Sequence, residues 1–148
     1  MELRSDHNCH AIYNLQYHLI LVTKFRHPVI SEAVFQTIKD QVIKVAKLQN
    51  VIIEEIAYEP DHVHILLSAP PQVCLAKVIN SMKSTSSRMV RQKHAAALEK
   101  YYWKPFFWNR SYMILSSGGA PIEVIRAYIR EQNTPQHAAK KKRTANST

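Results

Sequence analysis

An α+β fold is predicted by three observations. Four segments read as strands, by alternation or by β-branched content, apolar residues recur every three or four positions in three others, and the segments follow one another as β-α-β-β-α-β-α. The first six elements match the ferredoxin-like (RRM-like) split β-α-β arrangement, to which a last, tyrosine-bearing helix is added. Such an antiparallel sheet carries its helices on one face. It places the third strand centrally and leaves the other face open for function.

Residues up to about His10 read as a loose arm. From Ala11 to Lys24 the chain reads as one long strand, with Tyr13, Leu15, Tyr17, Leu19 and Leu21 alternating with Asn14, Gln16 and His18. It ends in the basic turn Lys24-Phe25-Arg26-His27-Pro28. Ser31 can cap a helix over roughly 32–49, whose Val34, Phe35, Ile38, Val42, Val45 and Leu48 mark one buried face. Val51 to Tyr58 is a second, β-branched strand. The turn Glu59-Pro60-Asp61 is short, so the next strand, about 62–69, returns as an antiparallel hairpin.

Pro70-Pro71 ends that strand, and a helix follows from about Val73 to Gln92 or beyond. Leu75, Ile79, Met82, Met89 and Val90 face inward, whereas Lys77, Ser81, Ser84, Arg88 and Arg91 line another face. Cations mixed with hydroxyls suit phosphate contacts, and they also suit a plain solvated face. The aromatic run 101–108 either stacks unpaired bases or covers an open end of the core. Ser111 to Ser117 is the fourth strand, Gly118-Gly119 breaks the chain, and Pro121 fits the first turn of a closing helix over about 121–133. Asn133 and Pro135 stop it, which gives one domain over 1–135 and a basic, polar, disordered tail over 136–148.

The composition narrows the function. A formal charge of +9 with 46% hydrophobic residues describes a folded chain with a polyanionic partner, nucleic acid before membrane. No apolar run approaches the roughly 18 residues of a membrane span, and the polar start gives no signal-peptide pattern, so a cytoplasmic protein is expected. Cys9 and Cys74 are too few and too far apart for a zinc framework and are expected as thiols.

The chemistry lies in Asp61-His62-Val63-His64. A strand repeats its side-chain direction every second residue, so His62 and His64 share a face and can share a metal ion. A bare His-x-His is more often two hydrogen-bonded imidazoles on a half-solvated face. In the last helix Tyr128 and Gln132 are one turn apart on one face. Imidazole nitrogens and an amide oxygen can bind a divalent cation, Mg²⁺ or equally Mn²⁺, which polarises a phosphoryl oxygen while Tyr128 attacks phosphorus. A phenol ordinarily titrates at about 10, so it needs help to ionise; Glu131 is the weak candidate base in sequence.

These residues resemble the single-tyrosine HUH transposases, the small insertion-sequence enzymes of the IS200/IS605 type. The pieces are Tyr17-His18 with Lys24-Phe25-Arg26, Pro60-Asp61-His62-Val63-His64, Lys83-Ser84-Thr85-Ser86-Ser87-Arg88, Phe107-Trp108 with Ser111-Tyr112, and Tyr128-Ile129-Arg130-Glu131-Gln132. They occur in the family's order over about residues 10–133. The resemblance implies His62, His64 and Gln132 as metal ligands and Tyr128 as the nucleophile that forms a 5′-phosphotyrosine. It implies a homodimer that binds hairpins near the element's ends and moves single-stranded DNA without a nucleotide cofactor. Lys24 and Arg26 in the turn, and Lys77, Lys83, Ser84, Arg88 and Arg91 on the long helix, are the candidate DNA contacts. Phe25 and Ser84 depart from the family's usual residues. The alternatives are a related nicking or replication-initiator-like HUH enzyme, a domesticated relative, and a non-catalytic RRM-like nucleic-acid-binding module.

Overall fold

The computed structural model describes residues 4–6, 11–116 and 122–131. Cys9, Gly118-Gly119, Pro121, Gln132, the stop at Asn133 and Pro135, and the basic tail 136–148 lie outside the described residues. In order, the elements are β1 (Arg4–Asp6), β2 (Ala11–Tyr13), β3 (Gln16–Val22), α1 (Glu32–Leu48), β4 (Ile52–Glu59), β5 (His62–Ser68), α2 (Leu75–Lys93), α3 (Ala95–Glu99), β6 (Met113–Ser116) and α4 (Ile122–Glu131). The main sheet has the order β4-β5-β3-β6 with every pair antiparallel. That is the ferredoxin-like order, and the His strand β5 is central as expected.

The first strand differs from expectation. The long first strand is two strands, because β5 runs out: Gln16 pairs with Ser68 at its end, and prolines follow. The N-terminal half, β2, finds another partner in β1, part of the arm expected to be loose. The long helix stops at Lys93, and the short α3 follows after His94, whose Nε2 lies 2.9 Å from the Thr37 hydroxyl on α1.

The caps read as predicted at the start of α1, where the Val34 N–H donates to the Ser31 hydroxyl at 3.3 Å. At its end Asn50 takes the left-handed conformation (φ 59°) and the Val51 N–H returns to the Ala46 carbonyl at 2.9 Å. This is the hydrogen bond that closes a helix around a left-handed residue, and asparagine tolerates it best after glycine.

The core lies between one sheet face and the helices. Leu19 and Leu21 of β3 and Val63, Ile65 and Leu67 of β5 are fully buried against Ile38 and Val42 of α1 and Ile79 and Met82 of α2. Fully burying each such side chain stabilises the fold by about 1.5–3 kcal/mol. The aromatic run mostly closes this core: Tyr102, Phe107 and Trp108 are buried, and the Trp108 indole N–H donates to the Ser86 hydroxyl at 2.9 Å. Trp103 is left out, 77% exposed. No helix among the described residues is long and apolar enough to cross a membrane.

Candidate active site

The opposite sheet face carries the polar groups. Rows across it read Val22–His62–Glu59, Ile20–His64–Ala57 and His18–Leu66–Glu55. Both imidazoles therefore point away from α1 and α2, as the period of two requires, and both are half-buried.

Asp61 orients the first. Its Oδ1 lies 2.8 Å from His62 Nδ1, and its Oδ2 takes the Arg26 guanidinium at 3.0 Å. The hydrogen bond from His62 holds the Asp61 carboxyl below its usual range, helped by the charges of His62 and Arg26 and opposed by burial. A carboxylate on Nδ1 selects the tautomer whose Nε2 carries a free lone pair, the arrangement commonly found behind metal-binding histidines.

Arg26 reaches Asp61 from a tight turn in which Phe25 (φ 57°) and Arg26 (φ 56°) are both left-handed. Such a pair of non-glycine residues persists only when its surroundings over-determine it. Here the Lys24 N–H donates to the Phe107 carbonyl at 2.8 Å, the Arg26 N–H to the Thr23 carbonyl at 2.9 Å, and the Tyr102 hydroxyl to the Lys24 carbonyl at 2.7 Å.

The second imidazole has a partner that the sequence did not single out for chemistry. His64 Nε2 lies 2.8 Å from His18 Nδ1, so one of the two nitrogens donates to the other. Burial first, and the neighbouring His18 second, lower the His64 pKa and favour its neutral form, against the pull of Glu55. A neutral imidazole is the form that ligates a cation. Binding through that Nε2 requires the bond to His18 to open. The donors thus fit a divalent cation in type and, at His62, in tautomer. Among the described residues no group of three or more His, Cys, Asp or Glu side chains comes together as a metal site, so a further donor has to be of another kind or lie elsewhere. Gln132, expected in that role, is outside the described residues.

Helix α4 lies near this face in the same chain. Its Ile129 and Arg130 line one cleft of about 510 Å³ with Arg26, Asp61 and His62. The Tyr128 hydroxyl donates to the Ser111 hydroxyl at 3.2 Å. Ser111 leads into β6, whose Met113 pairs with Ile20, the residue that pairs on its other side with His64. Two strand spacings therefore separate that edge from the imidazole strand, about 10 Å. Burial raises the Tyr128 phenol above its ordinary pKa, with the Ser111 hydrogen bond pulling the other way, so it is protonated at neutral pH. Glu131 is exposed.

The candidate DNA contacts divide. Lys77, Ser84 and Arg88 are exposed on α2, and Arg91 is half-buried with its Nε 3.3 Å from the Ser87 carbonyl. Lys83 instead donates to the carbonyls of Asn109 and Arg110, each at 2.8 Å, and burial lowers its pKa. It anchors the segment that presents Ser111 to Tyr128. Lys24 sits over the Phe25 and Phe106 rings, and Arg26 is engaged by Asp61. A cavity of about 530 Å³ between α1 and β4, lined largely by apolar residues such as Ile43 and Ile52, contains no histidine or tyrosine and is set apart from this chemistry.

His18, Asp61 as an orienting group, Ser111 and Arg130 are what the sequence left unassigned. The parity of His18 on its strand, and an acid directly before His-x-His, were the available signals.

Comparison with known proteins agrees with this picture. Residues 11–132 match the family described as "Transposase IS200 like". The chain is 34% identical over 122 residues to the ISDra2 transposase TnpA of Deinococcus radiodurans, covering 82% of this chain and 86% of that one. It is 27% identical over 123 residues to the transposase for insertion sequence element IS200 of Salmonella typhimurium, covering 83% and 80%. A crystal structure of a chain from Deinococcus radiodurans R1, proposed as a transposase, superposes with a TM-score of 0.77 at 29% identity over 90% of this chain and 99% of that one. A REP-associated tyrosine transposase solved with a REP hairpin shares the fold, with a TM-score of 0.51 at 14% identity over 86% and 70%. Sequence and architecture together define a transposase, the class of enzyme that mobilises DNA segments. The chain belongs to the IS200-like family of these enzymes, the IS200/IS605 single-tyrosine type.

Proposed function

We propose that this protein is a divalent-metal-dependent transposase that cuts and rejoins single-stranded DNA through Tyr128. The observation that carries the reading is one cleft shared by Arg26 and Asp61 of two turns and His62 of β5 with Ile129 and Arg130, the residues that follow Tyr128. In the reaction the Tyr128 oxygen forms a bond to phosphorus and the bond to the 3′-oxygen breaks. The phenol proton leaves to solvent or a base, the 3′-oxygen gains a proton, and the 5′-phosphate stays on the tyrosine. Attack by a 3′-hydroxyl reverses these changes and reseals a strand, which is why no nucleotide cofactor is needed.

Mg²⁺ or Mn²⁺ held by His62, His64 and Gln132 would supply Lewis-acid polarisation of a phosphoryl oxygen. Asp61 fixes the His62 ring, and Arg26 and Arg130 set positive charge along the cleft where a phosphate backbone would lie. The raised Tyr128 pKa makes activation of the phenol a requirement of the mechanism. As in the family it resembles, the protein acts as a homodimer in the cytoplasm on hairpins near the ends of its element.

The test is a covalent adduct. Single-stranded DNA from the element ends, incubated with the protein and Mn²⁺, should give a protein–DNA species that survives denaturing electrophoresis and disappears with chelator. The same adduct at full yield in chelator would overturn the metal assignment.

A further inference from the structure

The aromatic run leaves one residue unexplained by packing. Trp103 is 77% exposed, whereas Trp108 is 9% exposed and hydrogen-bonded to Ser86. A single exposed apolar side chain is ordinary, but Trp103 is not isolated. Lys104 Nζ sits 4.6 Å from its ring centre. Phe106 meets it edge-on at 6.1 Å and meets Phe25 edge-on at 5.9 Å. Lys24 Nζ lies 5.2 Å from both phenyl rings. Two cations therefore flank a run of three rings, from Lys24, two residues before the Arg26 that grips Asp61, out to Lys104.

Beside this row is a cavity of about 280 Å³, lined by Phe106 with Lys83, Ser84 and Ser87 of α2. No acidic residue occurs between Lys100 and Ser117. A protein-binding surface would be depleted of lysine at its centre. Rings for base faces and ammonium groups for phosphates are instead what single-stranded nucleic acid requires.

We propose that the row Lys24–Phe25–Phe106–Trp103–Lys104 seats unpaired DNA that leads away from the cleavage cleft, with one base stacked on Trp103. This deepens the function proposed above and rests on its premise that single-stranded DNA is the substrate. The contact is indifferent to base identity, because every base offers a π-face. It adds grip on the strand flanking the cut without specifying sequence.

The experiment titrates the full-length protein with labelled oligo-dT and, separately, with a blunt duplex of the same length, following anisotropy and tryptophan emission. Oligo-dT should quench Trp103 emission in the wild type. Trp103→Ala should weaken oligo-dT binding on the order of tenfold, and Trp103→Phe should recover part of that loss. Duplex binding and the melting temperature should stay as in the wild type. Unquenched emission with unchanged oligo-dT affinity in Trp103→Ala would overturn the seat while leaving the transposase reading intact. Equal losses for duplex and single strand would also overturn it. No measurable binding of any single strand by the wild type would overturn both.

Discussion

The two faces of β5 are built from the same strand and follow opposite rules. Val63, Ile65 and Leu67 face the helices with no exposed surface, while His62, His64 and Leu66 face the other way and stay half-buried. A register slip of one residue would exchange the two sets. The helix-facing set is fixed by area removed from water. The imidazole face is fixed by directed contacts: Asp61 on His62, His18 on His64, and Ser111 on Tyr128. One face should therefore govern stability and the other chemistry, and substitutions can be chosen to break that division.

The largest effect belongs to Tyr128→Phe. It should abolish the covalent adduct while costing about 0.5–1.5 kcal/mol in stability at most, the worth of one hydrogen bond, as denaturant unfolding would check. Ile65→Ala, one residue from His64 but on the packed face, should do the reverse. It should cost about 2–5 kcal/mol and, in the fraction that remains folded, leave Mn²⁺ affinity by calorimetry near the wild-type value. Equal metal-binding losses in Ile65→Ala and His64→Ala would dissolve the division.

A smaller effect is expected for Asp61→Asn. Losing the group that orients His62 should weaken Mn²⁺ binding by about 10- to 100-fold, with the fold retained. The effect should reach His62 through the lost carboxylate and also free Arg26 from its ion pair.

The smallest and most graded test is alkaline titration. Burial raises the pKa of both Tyr128 and Tyr102, and Tyr102 is pushed up strongly. For a phenol with a raised folded-state pKa, the stabilisation is complete below the unfolded value of about 10 and is lost as pH rises through the folded value. Stability should thus decline above pH of about 10, and Tyr102→Phe should flatten that decline. Tyrosinate absorbance would show both groups ionising above the ordinary phenol value of about 10.

How much of this was legible in the sequence depends on the same division. Alternation and helical spacing gave the sheet, α1 and α2, because burial writes itself as periodicity. Ser31 was readable as a cap and the hairpin joining β4 to β5 as a short turn. The break at Tyr13 was not, because alternation persists across it and only the length of the partner strand ends the pairing. The His62–His64 face followed from parity alone. Asp61 read as a turn residue although it directly precedes His62, and Ser111 read as the start of a strand, since a contact between residues 17 positions apart leaves no local pattern. Lys83 read as a phosphate contact, and nothing in the sequence showed that its ammonium also donates to the carbonyls of Asn109 and Arg110. Charge in a sequence does not say which way a long side chain turns.

The most direct measurement is to digest the adduct and locate the modified residue by mass spectrometry. The account predicts a nucleotide joined through its 5′-phosphate to Tyr128, with no modification elsewhere. A nucleotide on another side chain, or a 3′-phosphate linkage at Tyr128, would contradict it.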